Sequence, residues 1–383
     1  MEVVVSREGS PGGTPGRLRT VGVEEELLLV DAETGVPLSV ASQVLRVARG
    51  RGDTDRHGAL GGSLGPELQQ QMIETDTPPE DDLAALETDL VTWREKARSA
   101  ALDAGALVLA SGTSPVRVQP RASETPRYAE IARRFGLTAR EQLTCGCHVH
   151  VSVASADEAV GAMDRIRVWL PTLMALSANS PFWQGTDSSY ESYRNQVWSR
   201  WPTAGPPDVH GTASAYRDHV QRMLDTGVPL DEGMVYDDAR PSRHYPTLEI
   251  RVADVCLDPK VAVLVAGLCR ALVETAADEW RTDEPPVDAP VALLRLAMWQ
   301  ASRWGLSGDL LDPLTHRPRS ARAVVDALVD HAAEALGASG DLVRVEDAVD
   351  ELFAVGTGAA RQRAVWLEER DMERVVVRLA GLT

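Results

Sequence analysis

The sequence predicts an α+β fold, and three observations carry that expectation. Strand-like runs with alternating apolar and polar residues all fall before residue 256. From Pro259 to the end, apolar residues recur at helical spacings of three and four. Strands and helices do not alternate as a chain of βαβ units would require, and no internal repeat is visible. At about 150 residues per domain, 383 residues allow two domains or one large one. We read 1–17, rich in Gly, Pro and Ser, as a flexible tail, and 18–383 as a single domain with a helical C-terminal part from about 259.

Taken in order, Leu18 to Val30 reads as a strand rich in Val and Leu, and Asp31 to Pro37 as a turn. Gly50 to Pro66 is a Gly/Asp-rich loop, and Gln69 to Thr75 a short extended or mixed run stopped by Pro78-Pro79. Glu80 to Ala104 is a helix, with acids in its first turn and Leu83, Leu86, Leu90, Trp93 and Ala97 along one face. Ala106 to Ala110 is a short apolar strand. Cys145 to Val153 is an alternating strand, and Asp157 to Ala178 a helix kinked at Pro171. Asn179 to Tyr245 is long, polar and aromatic, the character of a functional loop. Thr247 to Val255 alternates again, and helices follow at 259–280, 290–304, 319–336, 341–354 and 359–380.

Composition narrows the function. Lys plus Arg is 39 against Asp plus Glu at 57, a net charge of -18 that repels nucleic-acid backbones and anionic lipid. With lysines only at Lys96 and Lys260, no phosphate loop of the G-x-x-x-x-G-K-[ST] type can be written. Four cysteines do not make a disulfide framework in a chain of this length, so a reduced, cytoplasmic protein is expected. The N-terminus lacks the apolar core of a signal peptide, and the longest apolar run, Val261 to Ala277, is broken by Arg270 and Glu274.

Three strands place ionisable residues two apart, hence on one face, with apolar residues on the other. Glu24 and Glu26 share a face in Gly22-Val23-Glu24-Glu25-Glu26-Leu27, although Glu25 then falls on the apolar side. His148, His150 and Ser152 share a face in Cys145 to Val153, opposite Cys147, Val149 and Val151. Glu249 and Arg251 share a face opposite Leu248, Ile250 and Val252. Glu67 and Glu74 add two acids, but they stand seven residues apart and converge only if that segment bends. An ordinary solvated face favours Thr, Ser, Lys and mixed charge, whereas packed carboxylates repel unless a cation sits among them. Oxygen-rich sites with an occasional imidazole suit Mg²⁺ or Mn²⁺, and an Arg beside them suits the phosphates of ATP.

Five segments in this order resemble the carboxylate–amine ligase family, also called type 2 glutamate–cysteine ligase and related to glutamine synthetase. They are GVEEE at 22–26, ELQQQMIETDTP at 67–78, TCGCHVHVSV at 144–153, YRNQVWSRWP at 193–202 and LEIRVADVCLDP at 248–259. The resemblance covers roughly 20–380. It implies an antiparallel sheet forming an open funnel, with helices packed outside and ATP and Mg²⁺ on the inner face. It implies a catalytic domain in which ATP phosphorylates a carboxylate and an amine displaces phosphate, as in forming gamma-glutamylcysteine. By match to the family's motifs, Glu24, Glu26, Glu67, Glu74, His148 and Glu249 are implied metal ligands. His150, Arg194 and Arg251 are implied nucleotide contacts, and Arg251, Glu74 and Arg200 catalytic residues. Small-molecule substrates and a homodimer follow from the same resemblance.

Three other readings compete. Cys145, Cys147, His148 and His150 have zinc-ligand chemistry and would suit a metal-dependent hydrolase, but on a strand the cysteines and histidines face opposite ways. Gly61-Gly62-Ser63-Leu64-Gly65 fits a serine-hydrolase elbow, yet lacks the flanking strand and helix. A catalytically inactive scaffold of the same fold would need the polar set to be incomplete, and it is complete.

Overall fold

The computed structural model describes residues 18–55, 61–123 and 125–383, so the tail expected over 1–17 lies outside the described residues. Strands β1 (Val21–Val30), β2 (Ser63–Pro66), β3 (Met72–Asp76), β4 (Leu107–Leu109) and β5 (Gly146–Ser152) come first. A small hairpin, β6 (Phe182–Trp183) and β7 (Thr186–Asp187), stands apart, and β8 (Ala239–Pro241) and β9 (Thr247–Asp254) follow. Together they give a seven-stranded sheet in the order β2-β3-β1-β5-β9-β8, with β4 also beside β1. All its pairings are antiparallel, in agreement with the expected α+β class. One edge of β1 pairs with β3 over residues 24–28. The other is shared, with residues 21–25 on β5 and residues 28–30 on β4.

Helices α1 (Ala41–Gly50), α2 (Leu83–Asp103), α3 (Pro126–Phe135), α4 (Leu137–Glu141), α5 (Ala156–Ile166), α6 (Leu170–Ser177), α7 (Tyr193–Trp198) and α8 (Ala213–Asp225) intervene between the strands. After β9 come α9 (Pro259–Arg281) and α10 (Val291–Trp304), a hairpin of β10 (Asp309–Leu311) and β11 (Pro318–Ser320), then α11 (Ala321–His331), α12 (Ala333–Ser339), α13 (Leu342–Val355), α14 (Gly358–Glu369) and α15 (Met372–Ala380). Helix α2 starts at Leu83 because the Asp82 carboxylate caps it, accepting from the Ala84 and Ala85 amides at 3.1 and 3.2 Å. Asp258 does the same for α9, ahead of Pro259 at the first turn.

Four expectations need correction. The run 157–178 is two helices rather than one kinked helix. Pro171 lacks the amide that a continuous helix would use, and it sits instead in the first turn of α6. The segment 179–245 is not an open loop: it holds β6, β7, α7 and β8, pieces of two to six residues too short to show a period, and the 13-residue helix α8. The loop expected over 50–66 ends in a strand, β2. Helices α1 and α3 are not among the expected elements, although Thr125 caps α3 ahead of Pro126.

The apolar back of the sheet sets its orientation. Val23 of β1, Val149 and Val151 of β5 and Ile250 of β9 pack with α5, α6 and α9 in one core cluster. Leu27, Leu29 and Ile73 join Trp93 and Ala97 of α2 and Leu379 of α15 in a second. Each such side chain contributes roughly 1.5–3 kcal/mol on burial, so slipping any one strand by a residue would bury its charges and expose this face. Glu25, out of place in the alternation, is buried on this back face and paired with Arg94 of α2. Among the described residues no helix is long and apolar enough to cross a membrane.

Candidate active site

The register of the sheet decides which charged residues meet. Glu24 lies opposite Asp76 on one side and His148 on the other, and Glu26 lies opposite Glu74. His150 lies opposite Glu249, and Glu249 opposite Arg240 of β8. Directly opposed residues share a face, with Cβ atoms about 5 Å apart. At His148 the β5–β9 ladder shifts register, so that Arg251 and Val252 both stand against one residue. Glu67 reaches the group because the chain bends between β2 and β3, the bend that its odd spacing from Glu74 required.

Candidate ligand atoms then fall within 4.8 Å of one another in three sets: Glu24, His148 and Glu249; Glu26, Glu67 and Glu74; and Glu24, Glu74 and Asp76. All six residues singled out as ligands are therefore brought together. Asp76 is new, and its signal was present, since Glu74 and Asp76 are two apart on one strand. Where β5 parts from β1, the Gly146 amide donates to the Glu26 carboxylate at 2.5 Å. His148 Nδ1 and His150 Nε2 stand 3.3 and 3.2 Å from the two oxygens of Glu24.

The electrostatics follow from crowding. Burial pushes the Glu26 carboxyl up, and Glu67 adds to it. Burial raises Glu67, and burial with Glu24 and Glu67 nearby raises Glu74 well above the usual range. Burial would also raise Glu24, but the His150 and His148 imidazoles hold it well below. Burial would raise Glu249 too, yet the guanidinium groups of Arg251 and Arg240 keep it low. Arg240 Nε lies 2.8 Å from one Glu249 oxygen, and Arg251 Nη1 contacts the other. Arg251 Nε is buried and has no hydrogen-bond partner.

These residues form the floor of a cavity of about 350 Å³ whose walls include Arg127 and Tyr128 of α3, Trp198, Trp201 and Tyr236. Burial pushes the Tyr128 phenol up to about 12. A second cavity of about 520 Å³ shares Glu24, His150, His244 and Tyr245 with the first and is lined further by Val23, Pro79 and Pro246.

The two other arginines of the sequence reading sit elsewhere. Arg194 is 3% exposed and lies beside Gly146 and His148 of β5, donating to the carbonyls of Arg251 and Val252 at 3.3 and 3.4 Å. It is not a wall of either cavity. Arg200 faces outward, paired with Glu141 at 2.7 Å, and does not line the cavities either. Arg240 and Arg127, which no motif marked, do. All four cysteines are buried and free, and none enters a ligand set among the described residues. The Ser63 hydroxyl is spent on Asp76 at 2.8 Å inside β2, with no helix after it, so the hydrolase elbow does not form.

Comparison with known proteins places the chain. The model of glutamate–cysteine ligase family 2 matches residues 20–376. A protein of Streptomyces avermitilis, provisionally named glutamate–cysteine ligase 2-1, is 53% identical over 346 residues, covering 90% of this chain and 94% of its own. Another from Streptomyces coelicolor, provisionally named glutamate–cysteine ligase 2, is 50% identical over 359 residues, covering 94% and 97%. Among solved structures, the glutamate–cysteine ligase of Francisella tularensis in complex with AMP is 13% identical, with a TM-score of 0.67 over 95% of this chain and 88% of its own. That likeness concerns the fold.

Proposed function

The chain belongs to glutamate–cysteine ligase family 2, enzymes that form C–N bonds, and from that premise we propose that it joins a carboxylate to an amine at the expense of ATP, through an acyl phosphate. The observation that carries the reading is the pair of ligand sets flanking Arg251 on one open sheet face. Glutamate and cysteine are the first acid and amine to test, and residues 18–383 act as one catalytic unit.

The donor set fits hard divalent cations: it is carboxylate-rich with one imidazole, and its carboxyls are pushed up where no cation balances them. Glu24, His148 and Glu249 would hold one ion and Glu26, Glu67 and Glu74 another. When bound, Mg²⁺ or Mn²⁺ would screen the repulsion between the acid substrate and the γ-phosphate. Arg251 is held by Glu249 through Nη1, and its guanidinium, part of the cavity lining, would meet the phosphoryl oxygens as charge moves. Arg194 fixes the backbone that carries Arg251 rather than touching the nucleotide. The second cavity, with Pro79 and Pro246 in its wall, suits a flat apolar base, and His150 stands between it and the metals. Trp198, Trp201, Tyr128 and Tyr236 exclude the water that would hydrolyse an acyl phosphate.

The test is product analysis. With ATP and Mg²⁺, the protein should release ADP and phosphate only when an acid and an amine are both supplied. Release of AMP and pyrophosphate would sink the acyl phosphate route.

A further inference from the structure

Behind the acidic face lies an ion pair that the proposed chemistry does not touch. Glu25 points from β1 into the apolar back of the sheet and is fully buried. Arg94 of α2 meets it with two charge-assisted bonds, Nε to Oε2 at 2.8 Å and Nη2 to Oε1 at 2.6 Å. The same guanidinium also reaches beyond β1. Its Nη2 donates to the Cys256 carbonyl at 2.6 Å and its Nη1 to the Leu257 carbonyl at 3.1 Å. Those carbonyls belong to the turn between the end of β9 and the cap of α9. Strands β1 and β9 are not neighbours, since β5 lies between them. One side chain therefore joins, behind the sheet, the strand of Glu24 and Glu26 to the turn that directly follows the strand of Glu249 and Arg251.

A buried ion pair is weak evidence for stability as such, because apolar side chains of similar volume often serve as well. Two apolar side chains cannot hold two strands in register across a third. A planar guanidinium with donors on three sides can. We infer that Glu25 and Arg94 are positioning residues, which fix the distance between the ligands on β1 and those on β9 so that both close on one divalent cation. This rests on the metal-binding reading of the front face. The place of Glu25 in the chain suits that role. Its immediate neighbours, Glu24 and Glu26, are the two candidate ligands of β1, so any shift of Glu25 moves both.

The decisive measurement is direct Mn²⁺ binding, followed by electron paramagnetic resonance, beside thermal unfolding of the same samples. The double variant Glu25→Leu with Arg94→Met replaces the pair by apolar side chains. It should unfold near the wild-type temperature but bind Mn²⁺ about tenfold or more weakly, the scale of losing a group that orients a metal ligand. Arg94→Lys keeps the charge but cannot reach Glu25 and both carbonyls together, so it too should bind Mn²⁺ more weakly. It decides the matter if the double variant does not fold. Arg270→Met removes another buried arginine, one that joins α9 to Asp341, and should lower the unfolding temperature while leaving Mn²⁺ affinity unchanged. Wild-type Mn²⁺ affinity in the folded double variant, or in Arg94→Lys, would overturn the inference. Wild-type protein that binds no Mn²⁺ would overturn the metal reading beneath it, a distinct result.

Discussion

Two guanidinium groups claim the Glu249 carboxylate, and this sets how that residue and its neighbour should fail. Glu249→Ala should weaken apparent Mg²⁺ affinity, with excess metal restoring part of the rate. It also leaves Arg240 and Arg251 without their buried counter-charge, a loss of about 3–5 kcal/mol of stability that thermal or denaturant unfolding would read. Arg251→Ala should lower kcat by roughly 10²–10³-fold, the scale of removing one preorganised charge-stabilising donor, and metal should not restore it. Arg251→Lys should be a poor substitute, because a point charge cannot hold Glu249 and a phosphoryl oxygen together. Kinetics of the variants across a Mg²⁺ titration check this, and near-wild-type turnover in both alanine variants would remove the site as drawn. The cysteines provide a contrast. Cys145→Ser with Cys147→Ser should cost stability, because hydroxyls enter an apolar layer, yet leave Mg²⁺-dependent turnover in place. Metal analysis of the purified protein should show no zinc that the double variant loses.

At the scale of elements, the alternating strands β1, β5 and β9 were legible because a period of two, with nearly every ionisable residue on one side, is a strong signal. What lay outside it was geometry that a period cannot encode. The bend that swings Glu67 to Glu74, the register shift at His148, and a three-residue strand delivering Arg240 leave no repeating trace. Arg194 and Arg200 are both arginines of one aromatic segment, and only the packing of α7 shows that one turns inward and the other out. Strand β5 makes its own prediction. A methyl group at Gly146 would stand 2.3 Å from Arg194 Nη2 and 3.1 Å from His148 Nε2. Gly146→Ala should therefore lower both kcat and metal affinity in a protein that still folds, as steady-state kinetics with Mn²⁺ binding would show. The approach to β8 predicts a pH effect. Burial pushes the Asp237 and Asp238 carboxyls up to about 7. The folded state then holds their protons more tightly than the unfolded one, so their contribution is full below about pH 4 and is lost as pH rises through about 7. Relative to wild type, Asp237→Asn should gain unfolding free energy as pH increases across that window, and a parallel pair of pH–stability curves would contradict it.

At the scale of the whole molecule, the sheet gathers residues from Val21 to Asp254 around a single strand. Ligands that bind only this assembled form should stabilise all of it. Saturating ATP with Mg²⁺, at about 100 times the dissociation constant, adds about 2.7 kcal/mol, seen as a raised unfolding temperature in scanning calorimetry. The shared edge of β1 has another consequence, one of time. Its first half waits for β5, and β5 in turn waits for β9, which ends at Asp254. At ~5–20 residues per second on a ribosome, roughly ten to fifty seconds separate the emergence of β1 from that of β9, the last strand of the sheet. For the first part of that interval Val21 and Val23, apolar and strand-forming, lack the β5 partner that covers their edge. The nascent chain should therefore depend on holding chaperones, and slower synthesis at low temperature should change soluble yield far more than it changes the activity of the molecules that reach the folded state.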